Sequence, residues 1–308
     1  MKTEKINIQI DSKQFLSGIL WLPEGTLKAT LQIAHGMTEH IGRYTALAEY
    51  LTSQGIAVVG YDLRGHGTNP SEPNCASFGD GGWEASLEDM HQCYVMIEQR
   101  FQRIPHFLLG FSLGSFLVRE YLNSYDDEVA GAIIVGTGHQ SGALLSVMMA
   151  IVKTQIKKVG FDKTTPLVQK LSFETYNQKF APNCTPSDWL CSDEKELDKY
   201  RVDKLCRADI SAGLFLQLLG AMKRTGSAHA YDNWRKDMPI LLLSGRNDPV
   251  GDGGKGVECV KAAMKKAGLE KVAMKLFDGA RHDLLHEEKS GCAAEARAII
   301  MEWLAHLC

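Results

Sequence analysis

One serine lies in a sequence context that could make it a nucleophile. Residues 110–114 read Gly-Phe-Ser-Leu-Gly, an apolar run at 107–109 precedes them, and a helix-compatible stretch at 115–122 follows. A strand that turns sharply into a helix at Ser112 would hold the hydroxyl in a strained, exposed position. A serine hydroxyl also needs a base to take its proton. The pattern therefore predicts a nucleophile, provided that a base and a carboxylate accompany it.

Two such residues follow later in the chain, in the order serine, acid, histidine that this kind of turn uses. Asp248 comes just after an apolar strand-like run at 240–243, and His282 comes just after another at 272–277. Both loops should reach the sheet edge where Ser112 lies. We therefore predict a catalytic relay from Ser112 through His282 to Asp248.

Other residues compete for these roles. Asp252 and Asp237 are alternative acids, but Asp248 lies nearest to the predicted strand end. His286 is a weaker candidate for the base. Asp283, next to the predicted base, is expected to face solvent because adjacent side chains rarely face each other productively.

The loop after an early apolar run is the place for an oxyanion hole. Residues 34–40 read Ala-His-Gly-Met-Thr-Glu-His. Gly36 allows the backbone to approach a substrate closely, so we expect the N–H of Met37 to join that of Leu113 in binding an oxyanion.

Three histidines near this loop, His35, His40 and His66, raise the alternative of a metal site. No carboxylate-rich ligand set accompanies them. The eight cysteines are scattered, with no Cys-x-x-Cys pair, and this argues against zinc. We therefore expect these imidazoles to hold the loops by hydrogen bonds, and we predict no metal and no cofactor.

The elements that must position these residues alternate between strand and helix along most of the chain. This rhythm predicts a mostly parallel sheet with helices on both faces, an α/β fold. The first two strands should form a hairpin with its turn at 11–13. The predicted strands are 5–10, 15–22, 31–34, 56–61, 107–111, 129–135, 240–243 and 272–277, and the predicted helices are 44–54, 83–101, 113–125, 254–267 and 293–306.

The alternation stops near residue 138 and resumes near 238. We therefore predict a core built from 1–138 and 238–308, with a mainly helical cap inserted at 139–237 over the carboxyl ends of the strands. The apolar helix predicted at 143–152 has two interpretations: its apolar face lines an acyl tunnel or touches lipid, or it is buried against the core and the other cap helices. A second helix at 212–222 should form part of the tunnel wall.

Three aromatic residues of the predicted cap, Trp189, Trp234 and Tyr231, fit either a core or a rim position. Their spacing does not decide between the two.

Composition narrows the function classes. The chain has 308 residues, 44% hydrophobic residues and a net charge of −3, so it offers no basic surface for nucleic acid. Its first residues lack the pattern of a signal peptide, and no apolar stretch has the length of a membrane span. Because the cysteine spacing favours reduced thiols, we expect a cytoplasmic protein.

Several of these motifs together resemble the monoacylglycerol lipase / lysophospholipase group of α/β-hydrolases, which is serine aminopeptidase S33-like. The segments that carry the resemblance are 35–44, 61–67, 110–114, the Asp248 loop and 279–282. Weaker matches at 187–190 and 200–203 look like bacterial members. The resemblance covers most of residues 28–308.

The resemblance implies Ser112 as nucleophile, Asp248 and His282 as its partners, Met37 and Leu113 as oxyanion donors, and no cofactor. It implies an ester hydrolase acting on a monoacylglycerol, a lysophospholipid or another single-chain ester through an acyl-enzyme. The chain departs from the group's usual elbow in two places. Phe111 stands where a histidine is usual, and Ser115 where a second glycine is usual.

An amidase or aminopeptidase with the same triad is the alternative function. A peptidase would need an acidic group in the cap for the substrate amine, and Glu174, Asp193 and Glu194 are available. A haloalkane dehalogenase would need a carboxylate in place of Ser112, and a non-catalytic protein on this fold would usually lack a triad member. Partners are therefore expected to be small-molecule or lipid esters, with transient membrane contact through the cap; the oligomeric state stays open.

Overall fold

The computed structural model describes residues 1–10, 14–69, 75–79, 81–206 and 209–308. The strands are β1 (Lys2–Gln9), β2 (Phe15–Leu22), β3 (Ala29–Ala34), β4 (Ile56–Tyr61), β5 (Cys75–Ala76), β6 (His106–Phe111), β7 (Gly131–Val135), β8 (Asp209–Ile210), β9 (Ile240–Gly245) and β10 (Val272–Phe277). The α-helices are α1 (Thr45–Ser53), α2 (Gly82–Arg100), α3 (Leu113–Tyr125), α4 (Gly142–Val159), α5 (Pro166–Gln169), α6 (Thr175–Asn177), α7 (Glu194–Val202), α8 (Ala212–Thr225), α9 (Lys255–Lys266) and α10 (Cys292–Ala305). A π-helical turn at Lys170–Glu174 lies between α5 and α6.

Eight strands form one sheet in the order β1-β2-β4-β3-β6-β7-β9-β10. β2 pairs antiparallel with β1 and with β4, and the other neighbours are parallel. Every residue of the central strands β3, β4 and β6 is buried, because helices cover both faces of the sheet. Leu108 belongs to the apolar cluster on one side, whereas Phe107 and Leu109 belong to the other. The predicted fold class is confirmed.

The predicted elements of this sheet agree with the observed ones to within a few residues at each end. The predicted hairpin turn at 11–13 lies outside the described residues, while its two strands do pair antiparallel. No sequence pattern indicates the second sheet, a parallel pairing of β5 with β8. Each of these strands has two residues, too few to produce a periodic pattern.

The stretch between β7 and β9, residues 136–239, is called the insertion below. Over its described residues it contains α4 to α8 and adds no strand to the eight-stranded sheet. α8 packs on both α4 and α3. The predicted division at 138 and 237, with a cap between, stays a prediction.

Two side chains of α3 attach the insertion to the core. The buried guanidinium of Arg119 donates to the carbonyl of Thr225, at the end of α8, at 2.8 Å, and also to the hydroxyl of Tyr231. Next to it, Glu120 accepts two hydrogen bonds from Arg224, at 2.5 and 2.7 Å. The helix that follows Ser112, α3, therefore also anchors the end of α8, before the chain returns to the sheet.

The thiols and the helix lengths bear on the predicted location. The eight cysteines all lie within the described residues and none of them is in a disulfide; five are buried. In the part of the chain that the structure describes, no helix is both long enough and apolar enough to cross a bilayer. The cytoplasmic location stays a prediction.

Close packing of α3 against the sheet depends on Gly114. A Cβ atom at this position would lie 2.0 Å from the carbonyl oxygen of Ala34, at the end of β3. A rigid backbone atom stands there, so rotation of a side chain cannot relieve the clash. Gly142, the first residue of α4, has no atom within 4 Å of the corresponding point.

We therefore expect Gly114→Ala to lower the free energy of unfolding by about 1–3 kcal/mol, because the backbone must shift to admit the methyl group. The matched Gly142→Ala change should stay within about 0.5 kcal/mol of the wild type. Urea unfolding followed by circular dichroism measures both values. Equal midpoints for the two variants would contradict the close approach.

Candidate active site

Ser112 occupies the turn between β6 and α3. Its backbone has φ 51° and ψ −115°, in the region that residues with a side chain rarely adopt. The N–H of Ser112 donates to the carbonyl of Val135 at 3.0 Å, which ties the turn to β7. The serine is half-buried, and this turn presents its hydroxyl at the carboxyl edge of the sheet.

The imidazole of His282 bridges Ser112 and Asp248. Its Nε2 lies 2.8 Å from the Ser112 Oγ, and its Nδ1 lies 2.9 Å from the Asp248 Oδ2. His282 is 1% exposed and Asp248 is fully buried. Because a carboxylate accepts at Nδ1–H, Nε2 is left with a lone pair for the serine proton. The structure thus brings together the three residues that the sequence placed in one relay.

Asp248 is oriented by its own loop. One carboxylate oxygen accepts the N–H of Val250 at 2.8 Å, and the other accepts the Ser244 hydroxyl at 3.2 Å. The competing acids lie elsewhere. The side chain of Asp252 is 58% exposed near Lys179, and that of Asp237 is 63% exposed.

A buried carboxylate shapes the loop after β3. Glu39 accepts the N–H of Gly36 at 2.6 Å and the hydroxyl of Tyr44 at 2.8 Å, and it also accepts a hydrogen bond from Arg43. These bonds curl the chain around Met37, the predicted oxyanion donor. Its predicted partner, Leu113, is the first residue of α3, where a backbone N–H has no acceptor inside the helix.

The expectation that Asp283 faces solvent is wrong. Asp283 is 4% exposed, and its carboxylate binds Arg43 at 2.7 Å and His286 at 2.7 Å. Although burial favours the neutral acid, Arg43 and His286 hold the pKa of Asp283 below its ordinary value. Arg43 thus joins the oxyanion loop to the histidine loop, and His286 serves this link rather than Ser112.

The three histidines considered as metal ligands do not converge. His35 donates from Nδ1 to the Gly36 carbonyl at 2.7 Å and accepts the Leu63 N–H at 2.9 Å. His66 pairs with the Arg64 carbonyl at 2.8 Å, and burial lowers its pKa to about 3. The imidazoles of His35 and His66 therefore hold backbone groups.

The third histidine, His40, lies near Asp203 and Cys206, so that their potential ligand atoms are within 4.8 Å of one another. However, His40 Nδ1 accepts the N–H of Gly42 at 3.2 Å, and its Nε2 lies 2.9 Å from the Asp203 carboxylate. Nε2 therefore carries the hydrogen and donates a hydrogen bond to the Asp203 carboxylate. This tautomer leaves Nε2 no lone pair for a metal.

Two aromatic rings pack against the His282 imidazole. Phe111, from the end of β6, has its ring centroid 5.0 Å away, and Trp189, from the insertion, has its centroid 5.1 Å away in a stacked arrangement. Phe111 is the residue that departs from the related group's usual histidine, so a hydrocarbon ring replaces a polar one beside the base.

The second departure, Ser115, acts differently from what its place in the first turn of α3 suggests. Its hydroxyl donates to the carbonyl of Ser112 at 2.6 Å instead of accepting a backbone N–H as a cap does. Ser115 therefore reinforces the turn at Ser112.

A cavity of about 950 Å³ opens above Ser112 and His282, at the upper end of the size range of ligand pockets. Its apolar lining comes chiefly from α4, α8 and the side chains of Leu171 and Phe173. Its polar lining includes Arg43, whose guanidinium lies over the Tyr200 ring at 5.1 Å. The apolar lining residues of the two helices are Leu144, Leu145, Val147, Met148, Ile151, Phe215, Leu218, Leu219 and Met222.

Helix α4 combines the two alternatives left open for it. Leu145 and Val152 are buried in the core cluster, whereas Leu144, Val147 and Ile151 are 48%, 59% and 37% exposed beside the cavity. The helix thus packs on the core and also forms part of the cavity wall, and Leu145 takes part in both. Of the undecided aromatics, Trp189 reaches the site, while Trp234 and Tyr231 are buried against one another, away from the cavity.

Sequence reasoning missed Glu39, Arg43 and Trp189 as parts of the site. Glu39 and Arg43 stand in the loop segment 35–44, but their spacing does not indicate that a bridge runs to Asp283. For Trp189, the sequence fits a core position and a rim position equally well. Local sequence patterns carry no information about contacts between distant segments. The buried ion pairs of Arg43 and the ring contact of Trp189 are therefore visible only in the structure.

Comparison with known proteins identifies relatives over nearly the whole chain. Residues 25–289 match the family described as serine aminopeptidase, S33. The monoglyceride lipase of Mus musculus is 28% identical over 95% of this chain and 88% of its own length. A monoglyceride lipase homolog of Monkeypox virus is 27% identical, covering 92% of both chains.

Solved structures share the fold. A thermostable carboxyl esterase from Bacillus coagulans superposes with a TM-score of 0.91 at 21% identity, covering 100% of this chain and 99% of that one. A monoglyceride lipase variant from Saccharomyces cerevisiae superposes with a TM-score of 0.74 at 17% identity, covering 99% of this chain and 94% of its own.

Proposed function

Since this chain belongs to the serine aminopeptidase S33 family, we propose that it is a serine hydrolase that cleaves single-chain carboxylic esters. One observation carries the proposal: His282 lies within hydrogen-bond distance of both the Ser112 hydroxyl, at 2.8 Å, and the Asp248 carboxylate, at 2.9 Å. Such an arrangement lets a weak nucleophile lose its proton as it attacks.

The reaction proceeds through an acyl-enzyme. His282 Nε2 takes the proton of Ser112 as Oγ attacks the ester carbonyl, and the N–H groups of Met37 and Leu113 bind the oxyanion. Asp248 stabilises the imidazolium that forms. His282 then protonates the leaving alcohol, activates a water molecule that attacks the acyl-enzyme, and returns the proton to Ser112.

The cavity supports a monoacylglycerol as substrate. The apolar walls from α4 and α8 suit one acyl chain. The names of the relatives, monoglyceride lipases from Mus musculus and Homo sapiens, point the same way.

The charged side chains that line the cavity favour an uncharged head group over the phosphate of a lysophospholipid. Arg43 lines the cavity, and its guanidinium already pairs with the carboxylates of Glu39 and Asp283. Arg201, at the cavity wall, pairs with Asp198 at 3.4 Å. A phosphate would therefore meet more carboxylate than guanidinium charge, and a glycerol diol would avoid this repulsion.

The amidase or aminopeptidase alternative keeps one supporting observation. Glu174, one of the three acids considered for binding a substrate amine, lines the cavity and is exposed. Asp193, by contrast, caps α7 and accepts the N–H of Lys195 and of Lys289. Glu194 begins α7 and does not line the cavity.

We further propose that α4 contacts a lipid surface when substrate enters. Leu144, Val147 and Ile151 expose apolar surface at the cavity wall, and the same helix carries Lys157 and Lys158 in its last turn. An apolar face with flanking lysines suits the boundary between lipid tails and anionic head groups.

Ser112→Ala should reduce kcat for p-nitrophenyl butyrate by several orders of magnitude, because no other group forms the acyl-enzyme. Asp248→Asn should also cause a large loss, because the amide no longer stabilises the imidazolium. Asp252→Asn is the matched control and should stay within about two-fold of the wild type, as expected for a surface change. Full activity of Ser112→Ala with an unchanged circular dichroism spectrum would refute the mechanism.

Monooleoylglycerol should be hydrolysed with a kcat/KM at least about ten-fold above that of oleoyl lysophosphatidic acid, a difference of about 1.4 kcal/mol. Both assays use concentrations below micelle formation, so that only the head group differs. An aminoacyl-naphthylamide included in the same series tests the alternative. Faster hydrolysis of this amide than of the glycerol ester would favour the aminopeptidase.

Val147→Glu should reduce, several-fold, the fraction of protein that sediments with phosphatidylglycerol vesicles, because a charge cannot enter the apolar layer cheaply. Val202→Glu is the matched control: Val202 is 69% exposed at the end of a different helix, α7, and does not line the cavity. Equal sedimentation of the two variants would reject contact through α4.

A further inference from the structure

A short segment of the insertion, residues 188–191, forms hydrogen bonds with the loop that carries His282. The carbonyl of Trp189 accepts the N–H of His282 at 3.4 Å, and the carbonyl of Leu190 accepts the N–H of Asp283 at 2.6 Å. The guanidinium of Arg281 donates to the carbonyls of Asp188 and Cys191. Three consecutive residues of the histidine loop are thus bonded to the insertion's backbone.

The same segment also contacts the imidazole itself. The Trp189 indole stacks on the His282 ring, with centroids 5.1 Å apart and planes 28° apart. Trp189 is 6% exposed, so the packed ring has little freedom to leave. The imidazole of a histidine rotates over a broad range about its Cβ–Cγ bond, and a ring packed on its face restricts that rotation.

Trp189 is in turn fixed from behind. Phe173 stacks on it with centroids 5.9 Å apart, and Tyr176 lies 5.3 Å away. The backbone N–H of Trp189 donates to the Asn177 side-chain oxygen, Oδ1, at 3.0 Å. The rigidity of the stack therefore comes from the insertion, while the reacting serine belongs to the core.

We propose that Trp189 is a positioning residue for the catalytic base: its indole holds the plane of the His282 imidazole so that Nδ1 faces Asp248 while Nε2 faces Ser112. The inference rests on the proposed function of His282. Both acylation and deacylation pass through this imidazole, so a loosened ring slows both steps. A displacement of about 1 Å at a reacting group costs about 100-fold in rate.

Trp189 also lines the cavity, and a wall residue that only contacts substrate would act differently. Its loss would raise KM for long-chain esters and leave a short ester unaffected. A positioning residue instead lowers kcat for every ester, whatever its chain length.

The test compares Trp189→Leu, which removes the stacked ring, with Trp189→Phe, which keeps an aromatic face. With p-nitrophenyl acetate, Trp189→Leu should lower kcat at least about ten-fold with KM within about two-fold, and Trp189→Phe should retain most activity. Phe161→Leu is the control, because it removes an aromatic ring from the insertion at a position that is 37% exposed and does not line the cavity, and it should leave kcat for this short ester within about three-fold.

A spectroscopic readout separates positioning from lost stability. The downfield proton resonance of His282 Nδ1–H, which hydrogen-bonds to Asp248, should broaden or vanish in Trp189→Leu and persist in Phe161→Leu. If Trp189→Leu does not fold, Trp189→Met carries the same expectation.

Unchanged kcat and an unchanged resonance in the folded leucine or methionine variant would overturn the inference, as would an effect on KM of long-chain esters alone. Failure of the proposed function looks different. In that case the wild type itself would hydrolyse no ester and would not react at Ser112 with a fluorophosphonate.

Discussion

The two hydrogen bonds of the His282 imidazole set the constraint that the rest of the structure meets. They require a hydroxyl and a carboxylate at opposite ends of one ring, 2.8 and 2.9 Å from its nitrogens. Ser112, Asp248 and His282 follow β6, β9 and β10, whose parallel direction brings their carboxyl ends to one edge of the sheet. The parallel direction of the strands therefore brings the three side chains together, and short loops after each strand are enough to complete the site.

Around this ring, the core and the insertion divide the work. The core supplies Ser112, Asp248 and His282, and also the loop after β3, which Glu39 shapes and Arg43 ties to Asp283. The insertion supplies most of the cavity wall and the backbone carbonyls and indole that touch the histidine loop. The same inserted stretch therefore both lines the cavity and contacts the His282 imidazole.

Prediction from sequence succeeded where the signal is local. Strand boundaries such as 56–61 and 272–277 agree with the structure, because a run of apolar residues between turns reports burial directly. The order of Ser112, Asp248 and His282 along the chain was likewise sufficient to group them. Asp283 was assigned to solvent wrongly, because its partner Arg43 lies 240 residues away and leaves no trace in the neighbouring residues. Helix α4 stayed undecided because an apolar stripe has the same spacing whether protein or a cavity covers it.

By itself, the sequence determined the kinds of residue available for chemistry, their order, and the strand–helix rhythm that carries them to one edge of a sheet. These properties follow from side-chain chemistry and from short-range periodicity. Only the tertiary structure decided that Trp189 stacks on His282, that Asp283 is buried against Arg43, and that α4 and α8 enclose a cavity. Those features depend on packing between segments far apart in the chain, whose energies arise from contact and burial and are not encoded in any single stretch of residues.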